Sequence, residues 1–316
     1  MGKIVRAVAP YQHKNIINFK KGAYDAWVKV GGKTVPAHYL PGKLLGWSCN
    51  HELPLLPTSR KEARLRFIEP ITRKLDAFPD YVRYEIIPFV WDCWPCLDDR
   101  FSSWLKKHQV RTAIFTSRQN AERIQKRFPE MNIFVITEGI DTSKYDSGKP
   151  LAEREIDLLE YGRGSGIDVN VNDNVNVNVN GFRYVCTKVN GKFYTDEELF
   201  QMMGNSKVTI ALPRCDTDPT IAAGVETLTQ RYWENMLSRI VMVGRAPKEL
   251  TDLIGYNPVI ELDRNHARKQ ILYILKHIED YHYLVDRNRE TALQLGDWTL
   301  RMREVMEWLR QCGYEV

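Results

Sequence analysis

The chain has 316 residues, 43% hydrophobic and 11% aromatic, which suits a packed globular protein and excludes a disordered one. That length fits two domains of about 150 residues better than one small core. Lys and Arg number 45 against 40 Asp and Glu, a net charge of +5 with no basic block denser than "FKKG" or "WLKKH"; this excludes a nucleic-acid partner and suits phosphate-bearing ligands or anionic lipid.

Short β-rich apolar runs alternate with stretches of helical periodicity, which predicts an α/β sheet protein. In chain order the expected strands are Lys3–Val8, Tyr84–Trp91, Thr112–Phe115 and Ile133–Ile136, then Ile156–Tyr161, Arg183–Thr187, Lys207–Leu212, Ile240–Val243 and Val259–Leu262. Between them Ser117 can cap a helix with an apolar face of Ala121, Ile124 and Phe128. Thr195 and Glu198 stand at capping-box spacing. Pro247 suits the first turn of another helix. In the last helix Trp298, Met302, Val305 and Leu309 recur at helical spacing, a stripe expected in the core.

The polar stretch "DTSKYDSGKPLAERE" lacks periodicity and is read as the linker between two domains, 1–145 and 146–316. Within the second, residues 168–181 alternate Val and Asn. Asn has poor strand propensity, so this segment is read as a repeat-expanded surface loop without chemistry. No apolar run approaches the ~18–20 residues that span a bilayer, and "MGKIVRAVAPYQHKN" lacks a secretory apolar stretch. A cytoplasmic protein with its six cysteines as free thiols is expected. The basic, aromatic "INFKKGAYDAWVK" can be read as a peripheral contact with the inner membrane face or as an ordinary amphipathic helix.

"GVETLTQRYWENMLSR" places Glu226 just before an expected helix start near Thr227, and Glu234 two turns inside it. A helix N-terminus attracts phosphate. Carboxylates on either side can accept bonds from hydroxyls, the shape of a nucleotide-diphosphate sugar. By themselves two glutamates at this spacing also fit a solvated helix end.

Several segments together resemble the GT-B glycosyltransferases, in particular the retaining enzymes with a Glu-x7-Glu motif. "IDLLEYGR" is similar to the strand that enters their second domain, and "YTDEELFQMMGNSKVTIALPR" to the helix and strand before the motif. "GVETLTQRYWENMLSRIVMVG" resembles the motif itself. "TAIFTSRQNAERI", "NIFVITEGIDTSKY" and "DWTLRMREVMEWL" resemble a first-domain helix, the linker entry and the terminal helix that crosses back. The resemblance covers residues 110–312 apart from the Asn/Val insert.

It implies two Rossmann-like domains facing across a cleft, the second binding a nucleotide-sugar donor and the first a glycan or lipid-linked acceptor. It implies glycosyl transfer with retention in surface polysaccharide or glycolipid synthesis, with no cofactor and no catalytic metal. Glu234 would hold the donor ribose, Glu226 the transferred sugar, and Arg163 the departing diphosphate. The chain departs from the pattern in "GRGSGIDVN", which lacks the family's lysine. Arg231 and Arg214 are candidates for that second cation, and Thr227 for a donor contact. The first glycine-rich loop is also missing, and "GVETLTQ" replaces an "EGFG"-like run.

On the acceptor side Asp92, His51 and His13 stand near probable strand ends and can orient or deprotonate a hydroxyl. Two other activities fit the same scaffold: a nucleotide-sugar epimerase or hydrolase, and an inactive binder. "CWPC" at Cys93–Cys96 raises a thiol-redox alternative, because a helix N-terminus can lower a thiol pKa.

Overall fold

The computed structural model describes residues 2–10, 19–37, 61–70, 77, 80–162, 164–167, 169, 178–179, 182–187 and 194–316. Strands such as Glu85–Val90 and Val241–Gly244 are buried along their whole length. Near-continuous apolar strands of this kind belong in parallel sheets covered by helices on both faces. Two such sheets form.

The first contains β1 (Lys3–Val8), β2 (Thr34–Val35), β3 (Glu62–Ile68), β4 (Glu85–Val90), β5 (Thr112–Phe115) and β6 (Asn132–Val135). The second contains β7 (Ile156–Glu160), β8 (Asn178–Val179), β9 (Phe182–Cys186), β10 (Ser206–Ala211), β11 (Val241–Gly244) and β12 (Ile260–Glu261). β13 (Tyr314–Glu315) returns to the first sheet and pairs in parallel with Lys3 and Ile4 of β1. The orders are β13-β1-β3-β4-β5-β6, with β2 also on β1, and β12-β11-β10-β7-β9-β8.

The first sheet carries α1 (Phe19–Lys29), α2 (Asp80–Arg83), α3 (Asp98–Lys107) and α4 (Arg118–Arg127). The second carries α5 (Asp196–Gly204), α6 (Arg214–Thr217), α7 (Pro219–Ala222), α8 (Gln230–Leu237), α9 (Lys248–Ile254), α10 (Ala267–Lys276) and α11 (His282–Leu295). α12 (Trp298–Gln311) crosses back and packs beside α1 under the first sheet. The basic, aromatic stretch is α1 in part, and its Trp27 and Ala23 lie in the core.

The expected strands all form, each within one residue of its expected bounds. β3 was not expected, because Glu62, Arg64 and Arg66 interrupt its apolar run. Its charges are neutralised locally. Arg64, 5% exposed, donates to Glu62 at 2.8 Å and lies 3.5 Å over the Tyr84 ring, and Arg66 pairs with Asp80. The Asn/Val segment was read as a loop, but its Asn178–Val179 forms β8, antiparallel to β9. The remainder of that segment, apart from Val169, lies outside the described residues. The capping box at Thr195 and Glu198 forms as expected. Pro247 precedes its helix as N-cap instead of opening the first turn.

The chain passes between the sheets at 136–142 and again at 295–298, and the two passages are bonded together. Ile140 N–H donates to Gly296 O at 2.8 Å, and Trp298 N–H to Ile140 O at 3.0 Å. Asp297 accepts from Thr299 N–H at 2.8 Å, capping α12, and from Thr142 Oγ1 at 2.9 Å. Trp298, 1% exposed, then packs against Phe89 and Trp91 at ring distances of 6.1 and 6.0 Å. A Cβ on residue 139 would stand 3.0 Å from the Trp298 ring, so the first passage runs through Gly139.

In the second half, Arg154 does the equivalent work. Its guanidinium donates to the carbonyls of Lys149, Ser147, Ser206, Ser238 and Arg239 at 2.7 to 3.1 Å, anchoring the C-terminal end of α8.

Two stability outcomes follow from this packing. Trp298→Ala should lower the unfolding free energy by about 3–5 kcal/mol in urea titration; a loss under about 1 kcal/mol would show that the crossing does not depend on this ring. Arg154→Ala, which strands several buried carbonyls, should lose at least about 3 kcal/mol, with Arg154→Lys recovering only part. Equal stability of the lysine variant and wild type would contradict the carbonyl-anchor reading.

Candidate functional site

In the second sheet the chain moves from β7 to β9 on one side and returns to place β10 on the other. This reversal is a topological switch point, and open α/β sheets bind ligands in the crevice beyond the strand C-termini there. Tyr161 and Gly162 follow β7, Pro213 and Arg214 follow β10, and α8 brings Arg231 and Glu234 alongside.

Glu234 is 8% exposed. The Tyr161 hydroxyl lies 3.0 Å from its Oε2, and the Tyr145 hydroxyl 3.3 Å from its Oε1. Burial pushes the Glu234 carboxyl above the usual range, opposed by these hydrogen bonds and by the Arg231 charge. Arg231 lies 5.4 Å over the Tyr161 ring, and its Nη2 sits 2.6 Å from where a Cβ on residue 162 would stand. Glycine at 162 therefore makes room for the guanidinium. Among the described residues Arg231 forms no salt bridge; its charge acts on the Glu234 carboxyl and the Tyr161 ring.

The helix bearing Glu234 begins later than expected. Its N-cap is Thr229, so Glu234 lies a little over one turn inside. Nor is its N-terminus open to phosphate, because the Gln230 N–H donates to Glu138 Oε2 at 3.2 Å. Glu138 comes from the first half, just beyond β6, and its carbonyl accepts from Trp233 Nε1 at 2.8 Å. Burial first, then the neighbouring Asp92 charge, pushes the Glu138 carboxyl well up.

Glu226 belongs to a separate network. Its Oε1 pairs with Arg245, and its Oε2 accepts from the Lys248 N–H at 2.9 Å, capping α9. Arg245 also forks onto Asp216 at 2.8 Å through both Nε and Nη2. Thr227 is 5% exposed and Arg214 7%, and among the described residues the Thr227 Oγ1 and Arg214 Nε have no hydrogen-bond partner. Arg214 pairs with Asp218 at 3.2 Å and lies 4.9 Å over the Trp94 ring, a contact between the two halves.

Asp92 follows β4 and adopts a left-handed φ of 47°, an uncommon conformation for a non-glycine residue. It is half-buried, and its charge is felt by Glu138. His13, His51 and Arg163 lie outside the described residues. Among the described residues no group of three or more His, Cys, Asp or Glu is placed to hold a metal.

Tyr145, Tyr161, Glu138, Arg245 and Glu249 were not anticipated from the sequence. Tyr161 ends a strand at the switch point, a position that could have singled it out. Tyr145 lies in the stretch read as linker, where nothing local marks it.

The redox alternative is not supported. Cys93 is 1% exposed, and burial pushes its thiol up to about 12, the reverse of an activated thiolate. Arg123 donates to the Cys93 carbonyl, and Trp94 packs against Ala222 and Val225. "CWPC" is therefore part of the packing between the halves. In the native protein at pH 8, iodoacetamide should label the exposed Cys96 and spare Cys93. Because the folded pKa of Cys93 is raised, its contribution to stability is complete below the unfolded value near 9 and lost as pH climbs toward 12. Native labelling of Cys93 at a rate near that of Cys96 would contradict this.

No family model matches the chain, and no curated protein matches it by sequence. Solved structures do. HepE of Anabaena, crystallised in complex with UDP and glucose, superposes with a TM-score of 0.58 at 10% identity, covering 98% of this chain and 100% of that one. Sucrose-phosphate synthase of Thermosynechococcus elongatus gives 0.57 at 11% identity, covering 98% and 99%. A glycosyltransferase of Rickettsia africae gives 0.54 at 9% identity, covering 98% of both chains. The two sheets and the returning last helix are thus those of the GT-B glycosyltransferase fold.

Proposed function

We propose that the chain transfers a sugar from a nucleotide-diphosphate sugar to a glycan or lipid-linked hydroxyl, with retention at the anomeric carbon. The observation that carries this reading is the trio at the switch point: buried Glu234 between two tyrosine hydroxyls, Arg231 over the Tyr161 ring, and Gly162 cleared for it. Each Glu234 oxygen keeps a second lone pair, which suits a ribose diol. Arg231 stands where a diphosphate would need its charge, and takes the place of the family's lysine. Arg163 would add a second cation. Solved neighbours of the same fold bind UDP and UDP-glucose, which supports a donor of this class.

In the transfer, the bond from the anomeric carbon to the β-phosphate oxygen breaks and one to the acceptor oxygen forms on the same face. The acceptor proton passes to the leaving phosphate, which is the base nearest that face. Glu226, fixed by Arg245 and the α9 N-terminus, would present its carboxylate to the transferred sugar, with Thr227 beside it. Arg214 would lie at the diphosphate end. Residues 1–145 would bind the acceptor, with Asp92, His13 and His51 orienting its hydroxyl, and residues 146–316 the donor. No cofactor or metal has a role in this scheme. A surface polysaccharide or glycolipid product, made by a cytoplasmic protein touching the inner membrane face, fits such an acceptor; no described helix is long and apolar enough to cross a membrane.

The test is thermal unfolding against UDP-, GDP- and ADP-hexoses. A ligand at about 100 times its Kd adds about 2.7 kcal/mol. One nucleotide class should shift wild type, with the shift lost in Arg231→Ala and Glu234→Gln; no shift from any of them would remove the proposal. Glu234→Gln should at the same time be more stable than wild type at pH 7. The raised folded pKa means ionised Glu234 opposes folding above its unfolded value near 4.5, so the variant's advantage should shrink as pH falls toward that value.

A further inference from the structure

Several hydrogen bonds between the two halves lie next to the double passage of the chain, where covalent continuity already holds them. Another set lies away from it. At the N-terminus of α4, in the first half, the Arg118 N–H donates to Glu249 Oε1 at 2.7 Å across 131 positions of sequence. The other oxygen of the same carboxylate, Oε2, accepts from the Leu228 N–H at 3.1 Å, in the loop that carries Glu226 and Thr227. We propose that Glu249 is a positioning residue, a latch that sets the donor-side loop against the first half of the chain.

Three neighbouring features support it. The Glu226 N–H donates to Gln119 Oε1 at 3.0 Å, and Ser117 Oγ reaches the Glu226 carbonyl at 3.5 Å, so the same loop meets the same helix start twice more. Ser117 is the N-cap of α4 but makes no side-chain cap bond to its own helix. The orphaned helix N–H is served instead by a carboxylate from the other half, the placement that a helix dipole favours. Burial raises the Glu249 carboxyl, and the two backbone bonds, then the Ser117 hydroxyl and the Arg118 charge, oppose that. A carboxylate has an acceptor for each half at once, whereas a glutamine side chain has one oxygen and an NH2 that cannot accept.

The latch rests on these contacts. Only its effect on a donor sugar rests on the reading proposed above, and its test needs no ligand. Amide hydrogen exchange and small-angle scattering of the full chain compare wild type, Glu249→Ala and Glu249→Gln. In Glu249→Ala the amides of Arg118 and Leu228 should both exchange about tenfold faster or more, the scale of a lost charge-assisted bond. The Gln230 amide, held by Glu138, should be unchanged, and the radius of gyration should rise. In Glu249→Gln one of the two amides should lose protection and the other keep it. Unchanged exchange at Arg118, or faster exchange at Leu228 alone with unchanged scattering, would overturn the latch and leave Glu249 as local loop support. If Glu249→Ala fails to fold, Glu249→Gln decides by the same two amides. Failure of every nucleotide sugar to bind would leave these outcomes untouched.

Discussion

Two strands of chain pass between the sheets, and their mutual hydrogen bonding at Ile140 and Gly296–Trp298 is the constraint on which the remaining architecture depends. A single connection would leave two α/β units free to rotate about it. The second connection, bonded to the first and closed by Asp297 on Thr142, turns that swivel into a defined axis. Trp298 extends the constraint into the first core, and Arg301 carries it to the other side, reaching Thr137 Oγ1 at 3.2 Å and lying 5.6 Å over the Trp233 ring. Trp233 is next to Glu234, so the axis and the crevice share a helix.

The charges around that helix have a common logic. Glu138, Glu234 and Glu249 are all buried enough for desolvation to raise their pKa, and each is held by donors that belong to another segment. Such donors offset part of the cost of burying an ionised carboxylate. Two of them, Glu138 and Glu249, serve backbone N–H groups of the opposite half, so each half supplies a helix N-terminus of the other with its anion. The halves are thereby matched to each other through polar groups, which hold orientation more sharply than an apolar contact does.

Much of the scaffold was legible because parallel strands announce themselves as short apolar runs, and because the α12 stripe of Trp298, Met302, Val305 and Leu309 keeps helical spacing. β3 was hidden by arginines whose neutralising partners, Glu62, Tyr84 and Asp80, lie partly on other elements. At the crevice, Glu234 was visible from its spacing to Glu226, but the company each keeps was not. Tyr145 and Glu138 reach α8 from segments 89 and 92 positions away, and no local pattern reports such contacts. The same limit explains why Ser117 was identified as a cap while its partner across the crevice was not.

β13 is the shortest of devices, two residues laid beside Lys3 and Ile4, with Tyr314 reaching Thr112 and Glu85 at 2.9 and 2.5 Å. Its consequence concerns time. On the ribosome the second sheet has all its strands once residue 261 has emerged, and α11 is complete at residue 295. The first sheet, whose other strands are synthesised earliest, still lacks the Trp298 face and its β13 edge until residue 315 appears. Domains made in sequence generally fold in sequence; here the earlier half must wait for residues 298–315 to return to it.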